Sequence, residues 1–375
     1  MKHVDEFRDP SRARSLLDQI RRQTTRRWVI MEVCGGQTHG LLRHGIDLAL
    51  EDTIELIHGP GCPVCVTDEA KIDRAVRLSM TPGILLASFG DMLRVPGTSL
   101  SLAAARAEGA SVREFYSPTD AVTYAAENPD QHVVFFAVGF ETTAPATSLA
   151  VLQAKKRGLR NFSLLVSHVR VQPAMELIMA SEANRVEGFL AAGHVCCVTG
   201  FAPYEDFAGR WGVPVVVTGF EPVDLLLGIA ECVDRLEHQK SGVANCFGRS
   251  VALEGNRNAQ SVVDDVYEVC ESRWRGLGVL CEGGFRLREE YREFDAEFRF
   301  PEQSGKASEA SGKAVTPVIF STCRAGEVLS GRIQPCACGE FGSGCTPEHP
   351  LGAPMVSSEG ACAAWFRYRL RSIGS

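Results

Sequence analysis

At 375 residues the chain is long enough for two or three compact units, each with its own core. Hydrophobic residues at 45% and charged residues at 23% exclude wholesale disorder and a fibrous repeat. The net charge of -7, from 39 Lys plus Arg against 46 Asp plus Glu, comes with no dense basic block, which argues against a nucleic-acid partner.

The first segment, MKHVDEFRDPSRARSLLDQIRRQ, is charged throughout, lacks the apolar stretch of a secretory signal, and reads as an amphipathic helix. From Trp28 to about Phe220 short β-branched or aromatic runs alternate with turns and stretches of helical spacing, the pattern of βαβ units. Strands are expected at 28–33, 54–58, 84–89, 112–116, 133–138, 162–169 and 214–218. The apolar runs fall far short of the ~20 residues that span a bilayer, so no membrane partner is expected. Alternating strands and helices favour parallel sheets, whose ligands collect at the carboxyl ends of the strands.

VVFFAVGFETTAP at 133–145 is echoed by VPVVVTGFEPVD at 213–224, each running from strand through Gly-Phe-Glu to a proline-containing helix start. The expected fold class is therefore α/β. Two similar parallel-sheet domains are expected at 27–150 and 151–245, plus a third, mixed domain built from 1–26 and 246–375. Within that third domain a helix is expected at 260–270 and a Gly, Ser, Ala and charge-rich linker at 301–314.

Fourteen cysteines in groups point to metal and redox chemistry in a reducing compartment, and so to the cytoplasm. MEVCGGQTHG puts Cys34 just past an apolar strand, with His39 five residues on. A thiolate and an imidazole so placed suit a soft or borderline metal, or a nucleophile pair, against the plain alternative of a core cysteine. His58-Gly-Pro-Gly-Cys62-Pro-Val-Cys65 ends the next strand. A CxxC at a helix start is a redox arrangement, and one such pair supplies only half of a zinc knuckle. GFETTAP places Glu141 in a strand-to-helix turn, where it lines a cleft or simply accompanies a helix cap. His168 and His194 read as satisfied structural histidines, and the vicinal Cys196-Cys197 as core. No phosphate-binding motif is present.

The tail spaces its cysteines irregularly at 323, 336, 338, 345 and 362. Four thiolates are what a [4Fe-4S] cluster needs, and the irregular spacing fits a cluster better than the paired knuckles of zinc, which stays as the alternative.

With these segments assembled, the sequence resembles the HypD family of hydrogenase maturation proteins. MEVCGGQTHG, IHGPGCPVCV, FGDMLRVPG, VVFFAVGFETTAP, GFEPVDLL, WRGLG and CTPEHPLGAPMVSSEGACAAW follow the family pattern in order, from about residue 25 to the carboxyl end. The resemblance implies a scaffold, rather than a conventional turnover enzyme, on which the Fe(CN)2CO unit of [NiFe]-hydrogenase is assembled with the chaperone HypC and the cyanide donor HypE. By that analogy Cys34 anchors the iron, Cys62 and Cys65 form a thiol/disulfide pair, His39 and Glu141 line the same cleft, and a tail cluster feeds electrons toward them. HypC is expected to bind near Cys34. Gln37 stands where the family frequently has a histidine, and Ala325 where it often has a cysteine. Cys338, Cys345 and Cys362 match, so the resemblance makes Cys323 the fourth cluster ligand by preference and Cys336 the alternative. Two readings from other classes compete: a stand-alone iron-sulfur thiol-disulfide oxidoreductase, and an interaction module with tail zinc.

Overall fold

The computed structural model describes residues 5–301 and 322–370, so positions 302–314 of the expected linker lie outside the described residues. Among the described residues eleven strands run in chain order: β1 Trp28–Glu32, β2 Ile54–His58, β3 Ile84–Ser88, β4 Val112–Glu114, β5 His132–Gly139, β6 Phe162–His168, β7 Gly188–Ala192, β8 Pro214–Thr218, β9 Gly242–Asn245, β10 Tyr267–Trp274 and β11 Gly278–Leu287. All seven expected strands are present, within two residues at their ends.

Two units emerge, and neither is a contiguous stretch. The first comprises the described residues of Met1–Cys65, Val171–Asn258 and Cys323–Ser375, and the second those of Val66–Arg170 and Ala259–Thr322. This differs from the expected division at about 150 and 245: the chain leaves the first unit twice to build the second, once between β2 and β7 and again between β9 and the tail. The tail and the amino-terminal helix belong to the first unit instead of forming a third.

The first unit carries a five-stranded sheet in the order β2-β1-β7-β8-β9, every pairing parallel. Its helix Pro10–Gln23 starts where the Asp9 side chain accepts from the Ser11 and Arg12 backbone N–H groups, with proline pre-set in the first turn. Leu16 and Ile20, four apart on one face, join Val223, Leu226, Ile229 and Val233 of the helix Pro222–Glu237 and Ile30, Leu56, Leu190 and Val216 of the sheet in one core.

The second unit carries a four-stranded parallel sheet, β4-β3-β5-β6, and the antiparallel hairpin β10-β11. Its core gathers Phe135, Phe162, Tyr267 and Phe294. The helix expected to reach Cys270 stops at Val266, because YEVCESRW alternates half-buried and exposed positions from Glu268 to Arg273, a period of two that suits a strand.

Numbered within its own unit, each parallel sheet has the order 2-1-3-4, extended to a fifth strand in the first unit. Two similar sheets are therefore present, but the echoed Gly-Phe-Glu segments follow β5 and β8, the third strand of one sheet and the fourth of the other. In this order the connections leaving strands 1 and 3 diverge and open a crevice at their carboxyl ends. In the first unit those ends are occupied by Cys34, two residues after β1, and His194, two residues after β7.

Candidate metal and thiol site

Cys34 caps the helix Gly35–Arg43 and is 1% exposed. Its Sγ lies 3.5 Å from Nδ1 of His194, which opens the short helix Gly193–Thr199. Burial pulls the His194 pKa down from 6.5 to about 4, so the ring is neutral at pH 7 and offers a lone pair. Burial pushes the Cys34 thiol well up, reinforced by the carboxylates of Glu32 and Glu359. The protein without metal therefore keeps Cys34 protonated, and binding a cation there releases a proton.

Around this pair the local sequence leaves little room. A Cβ on Gly36 would stand 3.2 Å from the Phe220 ring and 3.6 Å from Cys34 Sγ, so the Gly-Phe-Glu turn after β8 walls the site. The Phe220 ring also stands against His194, with centroids 5.3 Å apart. Gln37, fully buried, donates from Nε2 to the carbonyls of Ala191 at 3.0 Å and Thr218 at 3.3 Å, tying the helix to the ends of β7 and β8.

The dithiol loop shares the edge. Parallel pairing sets Glu32 opposite His58, and the chain then runs through Gly59, Pro60 and Gly61 to Cys62. Gly61 is obligatory: a Cβ there would fall 2.1 Å from the Cys34 backbone nitrogen. Gly35 N–H donates to the Gly61 carbonyl at 3.0 Å. Cys62 and Cys65 are joined in a disulfide with their Cα atoms 5.2 Å apart, and both are buried. The helix carrying Cys65, Pro63–Val66, is one turn long, and the longer helix begins only at Glu69.

His39, expected beside Cys34, faces elsewhere. Its Nε2 is 3.1 Å from the Tyr368 hydroxyl, and the two rings meet edge to face at 5.2 Å. Burial and the nearby Arg367 and Arg43 charges lower its pKa. Glu141 lies in the second unit, partly buried in the turn after β5. His168, also in that unit, is the satisfied structural group expected, with Nε2 2.8 Å from Thr147 Oγ1, which in turn accepts from Tyr267 OH. Cys196 is buried, and Cys197 donates to the Ser250 carbonyl. Two groups at the Cys34 site escape a reading of the sequence alone. His194 carries no spacing that sets it apart from a structural histidine, and Glu32, although inside the MEVCGGQTHG segment, is not singled out by it; a polar residue at a strand's carboxyl end is the available clue.

In the tail, Cys323, Cys338, Cys345 and Cys362 line one cavity together with Val328, Phe341, Leu351 and Met355. Burial raises the Cys362 pKa strongly, and the Cys323, Cys345 and Cys338 thiols add to it, which places the four within electrostatic reach. Leu351 N–H points at Cys345 Sγ, 3.3 Å away. Cys336 is exposed and lines a different pocket, with His58 and Trp365. Among the described residues, no three His, Cys, Asp or Glu side chains converge tightly enough to grip a single metal ion. The donor set and the apolar enclosure fit a polynuclear iron-sulfur group held by thiolates. No helix among the described residues is long and apolar enough to cross a membrane.

The sequence profile of the HypD family, described as "Hydrogenase formation hypA family", matches residues 11–369. The chain is 43% identical over 380 residues to "Hydrogenase maturation factor HypD" of Rhodobacter capsulatus, with 98% of each chain covered. It is 44% identical to the protein of the same name from Azotobacter vinelandii, covering 98% of this chain and 97% of that one, and 42% identical to that of Escherichia coli, covering 98% of each. A profile match over nearly the whole length, with relatives this similar along their whole length, places this chain in the HypD family of hydrogenase formation proteins.

Proposed function

We propose that this hydrogenase maturation protein is an assembly scaffold for the Fe(CN)2CO unit of [NiFe]-hydrogenase, working in the cytoplasm with a HypC-type chaperone and a HypE-type cyanide donor. The observation that carries the reading is the Cys34–His194 pair in the crevice between β1 and β7, with a disulfide loop hydrogen-bonded to its edge.

Iron is the substrate in this reading. Cys34 gives a soft sulfur donor once its proton leaves, and His194, neutral at pH 7, gives a nitrogen donor on the facing loop. Phe220 and the turn at Gly35–Gly36 keep the pair out of bulk water. When reduced, Cys62 and Cys65 hold two electrons and two protons that leave together as the S–S bond forms. Cys323, Cys338, Cys345 and Cys362 would hold a [4Fe-4S] cluster, which when bound supplies electrons singly. The four thiols lining one apolar cavity support that group.

The test is iron, zinc and acid-labile sulfide on anaerobically purified protein co-expressed with the other maturation proteins, beside Cys34→Ala. About four irons with four sulfides are expected from the cluster, plus up to one further iron lost in the variant. Zinc in place of iron, with no sulfide, would overturn the electron-transfer part. The Cys62–Cys65 disulfide by itself favours a second reading, a self-contained thiol oxidoreductase. That reading predicts that hydrogenase maturation tolerates Cys34→Ala, whereas the scaffold loses it.

A further inference from the structure

Glu32 is fully buried, and both its backbone and its carboxylate are committed to the two loops that carry sulfur. The carboxylate accepts from Cys34 N–H at 2.8 Å, from the Thr38 hydroxyl, and from His58 Nδ1 at 2.8 Å. Its carbonyl accepts from Gly59 N–H, also at 2.8 Å. One residue past Cys34, Gly35 N–H reaches the Gly61 carbonyl, and Gly61 rests against the Cys34 backbone too closely for any side chain. Residues 58–61 are the segment that leads directly into Cys62. The backbone presenting Cys34 and the backbone presenting the disulfide thus form one hydrogen-bonded body centred on a single carboxylate.

We infer that Glu32 is a positioning residue that couples the redox state of Cys62–Cys65 to the reactivity of Cys34. The inference rests on the scaffold reading for its purpose, since a metal-holding thiolate beside a dithiol gains from responding to whether that dithiol is reduced. Reduction breaks the S–S bond, and each sulfur takes one electron and one proton from a dithiol reductant that departs as a disulfide. The constraint on the loop is then released at Cys62. The Gly61–Gly35 bond and the His58–Glu32–Cys34 chain carry the change to Cys34, because each bond joins buried groups for which losing a partner is costly. Asp or Asn at position 32 would be too short to span both loops, and Gln would bring two amide hydrogens against the Cys34, Thr38 and His58 donors.

The experiment uses full-length, iron-free protein, so its outcome is independent of whether iron binds at all. Alkylation of Cys34 by iodoacetamide at fixed pH is followed by peptide mass spectrometry, in the disulfide form and after dithiothreitol, for the wild type and Glu32→Gln. In the wild type the Cys34 rate should change about tenfold with redox state, and in Glu32→Gln less than about twofold. In parallel, carboxamidomethylating Cys34 should move the Cys62–Cys65 midpoint potential of the wild type by about 30 mV, the equivalent of a tenfold change for a two-electron couple. Equal Cys34 rates in both redox states of the wild type, with an unmoved midpoint, overturn the coupling. A ratio preserved in Glu32→Gln overturns the assignment to Glu32. Should Glu32→Gln fail to fold, His58→Leu removes only the outer bond and carries the same comparison. Failure of the scaffold reading would appear instead as absent iron in the metal analysis, with these rates untouched.

Discussion

Cys34 Sγ and His194 Nδ1 stand 3.5 Å apart although 160 residues separate them in sequence. Only the parallel pairing of β1 with β7 brings them together, by setting Ile30–Glu32 beside Gly188–Leu190. If this pair holds the iron, His194→Ala should reduce the iron bound beyond the cluster as far as Cys34→Ala does, with acid-labile sulfide unchanged. His39→Ala, whose ring faces Tyr368, should retain it. Metal and sulfide analysis of the three variants decides, and full iron retention in His194→Ala would remove the histidine from the site.

The four tail thiols allow a sharper comparison. Cys323 lines the same cavity as Cys338, Cys345 and Cys362, whereas Cys336 is exposed in another pocket. Cys323→Ser should therefore lose most of the acid-labile sulfide and the charge-transfer absorption of a cluster, and Cys336→Ser should keep both. The reverse pattern would reassign the fourth ligand.

Much of this arrangement is legible in the sequence. Runs such as VVFFAV and PVVVT are β-branched and flanked by turns, and they form buried strands. The strand β7, GFLAA, is not legible: glycine and alanine carry no strand preference, and its identity comes from being buried between β1 and β8. The insertion of one unit into the other is equally silent, because nothing local distinguishes a helix that returns to its own sheet from one that departs to another. His194 falls in the same blind spot. Spacing in sequence reveals ligands only when they share an element, and here two loops of different strands supply one each.

Two glycines separate packing from propensity in the first unit. Gly61→Ala forces a methyl to 2.1 Å from the Cys34 nitrogen, a clash with backbone that no rotamer relieves. A loss of roughly 3 kcal/mol is expected in urea unfolding, the upper end of the range for overpacking, because the clash is with backbone. Gly209 sits inside the helix Pro203–Trp211 with nothing near its absent Cβ. Gly209→Ala should instead stabilise the chain by about 0.5–1 kcal/mol, since alanine gains helix propensity at no steric cost. Equal effects of the two substitutions would show that the close approach at Gly61 relaxes freely.

His168 supplies a pH dependence away from the metal site. It is fully enclosed in the second unit, and burial pulls its pKa from 6.5 down to about 4, partly opposed by the Gly139 carbonyl. Between those values the unfolded chain binds a proton that the folded chain refuses. Stability from this group is thus complete above about pH 7 and declines as pH falls through 6.5 toward 4. The span corresponds to roughly 3–4 kcal/mol at most, at about 1.4 kcal/mol for each tenfold loss of proton affinity. His168→Gln keeps a polar side chain of similar reach toward Thr147 but does not titrate. Urea unfolding of both proteins at about pH 7.5 and about pH 5 should show the wild type losing more stability on acidification than the variant. Parallel losses would mean that His168 accepts its proton without unfolding the second unit, and that the enclosure opens more readily than its burial implies.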